Sequence, residues 1–187
     1  MSYIGIEPHK FTRTRRGAEE RTFTLCHPGI EAIKEAMALQ AVITERVAKP
    51  PRFQPSIEAD YVESMEQDLY IAVYDGDVLA AHCICVRNRE TPRNLCPYFD
   101  SKEYDAYLTF DTVQVHPDYH GYGLQKFLLR EVERFARTII EPRPCYIAGT
   151  VSPDNTPSLE GFLACGFRVE GCLPLYGGER FLMRKTI

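Results

Sequence analysis

The segment from Leu108 to Gln125, LTFDTVQVHPDYHGYGLQ, constrains this chain more than any other. Tyr107–Val115 is an unbroken β-prone run and reads as a strand. Pro117, Gly121 and Gly123 break the run. Leu124–Ile140 then places Phe127, Leu128, Val132, Phe135 and Ile139 on one stripe of a long amphipathic helix. The first N–H groups of such a helix have no intrahelical partner, and its dipole favours negative charge there. Glycine lets the backbone approach an oxyanion closely. By its chemistry the loop His120–Gln125 is an anion cradle, or else a plain strand-to-helix turn closed by glycines. Two nucleotide fingerprints do not fit. Lys126 stands where a dinucleotide loop needs its third glycine, and no Gly-Lys-Ser/Thr follows the loop.

The remaining elements alternate around this one. Residues 1–20 read as an irregular extension, and residues 21–187 as one domain, a length that buries a sizeable core. Arg21–Cys26 is a short strand. A helix follows over Ile30–Val47 and ends at Lys49-Pro50-Pro51. Ser56 caps a second helix that runs to Gln67. Leu69–Tyr74 and Val78–Val86 flank Asp75-Gly76-Asp77, a hairpin signal. Asn88–Lys102 is a loop. Pro142 and Pro144 stop the long helix, and Cys145–Val151 is a strand. Asn155–Cys165 is a short helix closed by Gly166. Phe167–Cys172 and Arg180–Lys185 are the last strands, joined by a loop holding Pro174, Gly177 and Gly178. The order β-α-α-β-β-β-α-β-α-β-β predicts a mixed α/β (α+β) domain, with helices on both faces of a largely antiparallel sheet.

Several function classes drop out. A formal charge of −4 with no clustered Lys and Arg excludes a nucleic-acid footprint. No run of about 18 apolar residues exists, so no membrane-spanning segment is expected. The polar, Arg- and Glu-rich start lacks the apolar core of a signal peptide, which points to the cytoplasm. The cysteines number seven, without a C-x-x-C. They read as small buried hydrophobes, with Cys83 and Cys85 on one face of a strand, rather than as metal or redox ligands.

A second segment gives the loop a context. Val115-His116-Pro117-Asp118-Tyr119-His120-Gly121-Tyr122-Gly123-Leu124-Gln125 resembles the V-x-P-x-x-R/Q-G-x-G-x-G/A motif of the GNAT family of N-acetyltransferases. Asn155-Thr156-Pro157-Ser158-Leu159-Glu160-Gly161-Phe162-Leu163-Ala164-Cys165-Gly166-Phe167 resembles that family's N-x-x-A-x-x-x-Y-x-x-x-G-F. The resemblance covers nearly everything after residue 20. It implies the acyl-CoA N-acyltransferase fold, acetyl-CoA as co-substrate, no metal, and a small-molecule or peptide amine as acceptor. It also leaves a homodimer open. Backbone groups of Val113 and Val115 would pair with the pantetheine arm. Backbone N–H groups of His120, Gly121, Tyr122, Gly123, Leu124 and Gln125 would hold the pyrophosphate. Asn155, Ser158 and Phe162 would complete the cofactor side.

Three positions depart from the family pattern. His120 replaces Arg or Gln, and Gln125 replaces a small residue, so the Gln125 side chain must point away from the ligand. Phe162 stands where many members carry a Tyr that would protonate the leaving thiolate, and Phe has no proton to give. Cys165, Tyr119, Tyr122 and Tyr176 are other candidate donors. Strand alternation puts residues 109, 111, 113 and 115 on one face. Asp111 is then the candidate base, or an anchor for the substrate ammonium, or an Asp bonded at a strand kink. His82 and His116 have no assigned role. Arg46, Lys49, Arg52, Tyr61, Glu63, Tyr176 and Glu179 fall in the segments that would meet the acceptor. The reaction implied is direct attack of the amine in a ternary complex. The alternative, favoured by Phe162, is an acyl-CoA-binding sensor without turnover.

Overall fold

The computed structural model describes residues 7–46, 53–87, 89–139 and 145–187. The Asp75-Gly76-Asp77 turn folds the chain as its composition predicts. Gly76 takes φ 58°, a left-handed value that glycine adopts at no steric cost, and Asp75 pairs with Val78. It joins β3 (Leu69–Asp75) to β4 (Val78–Val86). Both strands are almost wholly buried because helices cover both sides of them.

The other elements build outward from this hairpin. They are β1 (His9–Arg13), β2 (Arg21–Cys26), α1 (Ile33–Arg46), α2 (Glu58–Gln67), β5 (Tyr107–Val115), α3 (Leu124–Ile139), β6 (Tyr146–Val151), α4 (Thr156–Ala164), β7 (Arg168–Leu175) and β8 (Gly178–Thr186). One eight-stranded sheet runs β1-β2-β3-β4-β5-β6-β8-β7. Every pairing is antiparallel except β5 with β6. The fold is thus mixed α/β around a mixed sheet.

Alternation along the strands feeds two cores. Ile71, Val73, Cys83 and Cys85 face α3 and α4, where Leu128, Val132 and Phe135 meet them. Tyr70, Ala72 and Ile84 face α1 and α2, against Ala36, Leu39 and Tyr61. Cys83 and Cys85 share one face, as their spacing predicts, and the cysteines form no disulfide among the described residues. The side chain of Ile139, the helix stop at Lys49-Pro50-Pro51, and Pro142 and Pro144 lie outside the described residues.

Four local readings are corrected. Residues 1–20 are not irregular throughout: His9–Arg13 pairs antiparallel with β2, from His9↔Leu25 to Arg13↔Arg21, and Phe11 stacks on Phe127 at 4.0 Å. A five-residue edge strand with one aromatic shows almost no alternation to read. Ser56 is not the cap of α2. Ile57 holds that place, its N–H donating to Asp60 Oδ2 at 2.9 Å, while Ser56 is tied by its backbone to Gln40. The last two strands are joined by the two-residue turn Tyr176-Gly177, so Pro174 and Gly178 lie inside β7 and β8 rather than in a loop. Finally, residues 109, 111, 113 and 115 do not share a face. The β4–β5 register jumps from Ile84↔Thr112 to Cys85↔Phe110, leaving Asp111 as the extra residue of a β-bulge.

Candidate functional site

The strands β5 and β6 separate partway along their length. Their parallel ladder ends at Phe110↔Gly149. Beyond it β5 continues along β4, and β6 continues along β8. An aromatic apex marks the fork. The Phe162 ring stands edge-on to Phe110 at 5.8 Å and to Phe167 at 4.9 Å. A Cβ at Gly149 would meet that ring at 3.1 Å, so glycine lets the ring close the fork.

Two cavities open along the fork. They share Phe53, Val113, Asn155 and Ser158 in their walls. The loop-side cavity, about 850 Å³, is lined by Val115, His120, Gly121, Gly123, Leu124 and Gln125 as well. The smaller cavity, about 360 Å³, is lined by Asp111, Phe162, Asp60, Arg93, Tyr176 and Arg180. The structure therefore gathers the residues singled out in the sequence into one cleft, but divides them. Asp111 and Phe162 belong to one cavity, and the glycine loop to the other. The Tyr122 side chain joins neither lining. It is buried against Phe23, 5.6 Å between rings.

The loop owes its shape to two glycines. Gly121 takes φ 89° and Gly123 φ 72°, backbone that other residues rarely adopt. His120 N–H donates to the Pro117 carbonyl at 3.2 Å, and Tyr122 N–H to the Tyr119 carbonyl at 3.5 Å. The first bond closing α3 runs from Phe127 N–H to the Gly123 carbonyl. The N–H groups of His120 and Tyr122 are thus spent inside the loop, which leaves those of Gly121, Gly123, Leu124 and Gln125, whose residues line the cavity, as its candidate donors.

Gln125 shows how a departure from the family motif is accommodated. Its amide donates to Ser158 Oγ at 3.0 Å and lies against α4. A Cβ on Gly161 would sit 2.4 Å from Gln125 Oε1. The large residue at 125 fits because 161 is glycine. Asn155 caps α4, its Oδ1 accepting the Ser158 N–H at 3.4 Å. Gly166, at φ 84°, ends that helix with Phe167 N–H on the Phe162 carbonyl.

One residue beside the loop leaves no trace in local sequence. The Arg15 guanidinium donates to the carbonyls of Asp118 and His120, each at 3.3 Å, and lies 5.2 Å from the Tyr122 ring centroid. It grips the outer side of the loop from 105 residues away. Only the tertiary fold brings it there.

The smaller cavity is built from side chains. Because of the bulge, Asp111 and Thr112 both turn toward α2. Thr112 Oγ1 accepts from Gln114, which donates to Tyr61 Oη at 3.0 Å, and Tyr61 donates to Gln40 at 3.1 Å. Gln40 holds both backbone groups of Ser56. This buried chain fixes the 53–56 wall. Arg93 bridges Ser64 at 2.7 Å, Asp68 at 2.8 Å and Asp111 at 3.4 Å. Burial raises the Asp111 carboxyl above the usual range. Arg93 opposes that rise, and Asp60 adds to it. Of the candidate proton donors, Tyr176 lines this cavity and Tyr119 the other. Tyr122 and Cys165 are buried in the core. His116 accepts the Asp118 N–H at 3.2 Å, a structural bond. Tyr61 stands behind the wall, Glu63 pairs with Arg89, Arg46 with Asp118, and Glu179 with Cys172. Lys49 and Arg52 lie outside the described residues.

Among the described residues no group of three or more His, Cys, Asp and Glu could hold a metal. No helix among them is long and apolar enough to cross a membrane.

Comparison with known proteins adds to this geometry. No curated protein sequence matches the chain. Solved structures share its fold at low identity. A Salmonella typhimurium structure with its cofactor acetyl-CoA superposes with a TM-score of 0.65 at 14% identity, over 88% of this chain and 93% of that one. The ribosomal-protein-S18-alanine N-acetyltransferase of Escherichia coli gives 0.63 at 17%, over 88% and 94%. Mycobacterium smegmatis RimJ, in complex with CoA-disulfide, gives 0.65 at 12%, over 96% and 87%. The model of the acetyltransferase (GNAT) family matches residues 34–167, most of the chain, and the chain belongs to that family.

Proposed function

We propose that this protein transfers an acetyl group from acetyl-CoA to a primary amine of a small molecule, by direct attack in a ternary complex. The observation that carries the reading is the fork. The β5 backbone past Phe110 leaves β6 beside a glycine turn and a helix N-terminus. An extended pantetheine arm fits there as an added strand along Val113 and Val115. The N–H groups of Gly121, Gly123, Leu124 and Gln125 suit its pyrophosphate. Asn155 and Ser158 stand on the wall shared by both cavities, where the arm would pass.

Acetyl-CoA brings an activated thioester; the chain supplies placement and proton handling. Backbone N–H groups at the fork polarise the carbonyl, and positioning contributes most of the rate. The amine nitrogen forms the C–N bond as the C–S bond breaks. The proton lost by the ammonium goes to Asp111, whose raised carboxyl is a stronger base than an exposed Asp. Phe162 offers no proton to the departing thiolate. A thiol titrates near about 8.5, so its thiolate leaves without much help and takes up the second proton, shed by the nitrogen as the amide forms, to give free coenzyme A thiol.

Calorimetric titration with acetyl-CoA and coenzyme A tests the reading. Sub-millimolar binding is expected, with release of free thiol when an amine panel is added. Absence of binding rejects it. Phe162 favours a second reading, a sensor that binds acyl-CoA without turnover. Tight binding with no thiol released from any amine supports that one.

A further inference from the structure

The smaller cavity, the acceptor side in the acetyl-transfer reading, carries charges of both signs on its two sides. On one side are Asp111 of β5 and Asp60 of α2, with Arg93 held by Asp68 at 2.8 Å and Glu63 at 3.3 Å. Arg93 thus braces the carboxylate wall. On the other side stands Arg180, near the start of β8, 6% exposed and facing the same cavity. Its guanidinium lies 5.5 Å from the ring centroid of Tyr176.

Tyr176 is placed with some strain. It has φ 56° at the turn between β7 and β8, where a bulky side chain is uncommon. Its phenol is pushed up by burial and by the negative charge of Asp111, and drawn down by Arg180. Asp111, Tyr176 and Arg180 line the same cavity, so a molecule held there lies between charges of both signs. A guanidinium offers five donors in a planar fork that matches a carboxylate in two parallel bonds. Inside a low-dielectric wall such bonds are among the strongest available.

We propose that Arg180 binds a carboxylate of the acceptor. The acceptor is then a small zwitterion, an amino acid whose ammonium faces Asp111 and whose free carboxylate faces Arg180. A cavity of about 360 Å³ is at the small end for ligand sites and suits such a molecule. Acetylation turns the ammonium into a neutral amide. The product keeps its hold on Arg180 but loses its attraction to Asp111, which favours release. This inference rests on the acetyl-transfer reading.

The test uses the full chain with saturating acetyl-CoA. Thiol release is followed with each of the common α-amino acids and with the α-amide of each. At least one amino acid is expected to exceed its amide in kcat/KM by about 30-fold, the size of a charge-assisted hydrogen-bond pair. Arg180→Met is expected to remove that preference mainly through KM, leaving the amide within about threefold and coenzyme A affinity unchanged. Arg180→Lys should retain part of it. Equal rates for acid and amide overturn the proposal. So does a preference that survives in Arg180→Met, or a panel that is neither acetylated nor bound by a chain that still binds acetyl-CoA. Failure to bind acetyl-CoA at all rejects instead the reading beneath it.

Discussion

The loop-side and acceptor-side cavities share a wall and differ in what they are made of. The loop side is backbone: two glycines of positive φ and the open N–H groups of one helix turn. The acceptor side is side chain: Asp60, Arg93, Asp111, Tyr176 and Arg180 arrive from four separate parts of the chain. A backbone site needs only that the local path be right. A side-chain site needs each contributing element to be docked correctly. The first is therefore sensitive to glycine replacement and tolerant of most side chains. The second is sensitive to anything that moves α2 or the β7–β8 turn.

The largest expected effect tests the backbone side. Gly121→Glu puts a carboxylate into the cradle and a Cβ at φ 89°, 3.5 Å from Arg15 Cδ. Coenzyme A affinity measured by calorimetry should fall by about 100-fold or more, from charge and blocked approach together. The melting temperature should drop only a few degrees, since about 1–2 kcal/mol of backbone strain moves a chain of this size by roughly that much. Equal losses of fold and binding would mean that the glycines merely close a turn.

The next effect probes the support behind the acceptor side. His82 lies fully buried between the rings of Tyr61 at 5.9 Å and Tyr70 at 5.3 Å. Burial lowers its pKa to about 4, with Gln114 opposing the shift. The imidazole is folded in neutral. Once unfolded it takes a proton below about 6.5. Stability is thus fully present above pH 6.5 and is lost as pH falls toward 4, by about 3 kcal/mol from this group. Denaturant titrations at pH 7 and pH 4.5 should show this loss in the wild type and a smaller one in His82→Leu. An unchanged loss would place the acid sensitivity elsewhere.

The smallest effect returns to the loop. Arg15→Ala removes two exposed hydrogen bonds to loop carbonyls. Coenzyme A affinity should weaken by about threefold to tenfold, with acceptor KM unchanged. A change in acceptor KM instead would erase the division between the two sides.

The sequence was readable in proportion to how local each feature is. The Asp75–Asp77 turn, the β5 strand, the α3 stripe and the Gly166 helix stop all declare themselves within a few residues, because period and turn chemistry are local properties. The bulge at Asp111 does not. It exists because β4 and β5 pair with one residue to spare, a fact of register between strands. Strand alternation therefore put Thr109 on the same face as Val113, while the fold bonds Thr109 to Leu95 N–H at 3.0 Å and packs Val113 toward α3 and α4. Arg15 and Arg180 stayed silent for a similar reason. A lone arginine has no pattern, and its partners lie far along the chain. The match of Gln125 with Gly161 reads as two unrelated departures until α3 and α4 are seen in contact.

By itself, then, the sequence determined the strand–turn–helix cradle and the family to which it belongs. Glycine placement and helix termini dictate where backbone N–H groups open, whatever surrounds them. The tertiary structure decided which residues line the smaller cavity. It did so through one extra residue in β5, through the parting of β5 from β6 at Gly149, and through a turn that carries Tyr176 and Arg180 to the same cavity as Asp111. Those are relations between distant segments, fixed by packing and register rather than by any local preference.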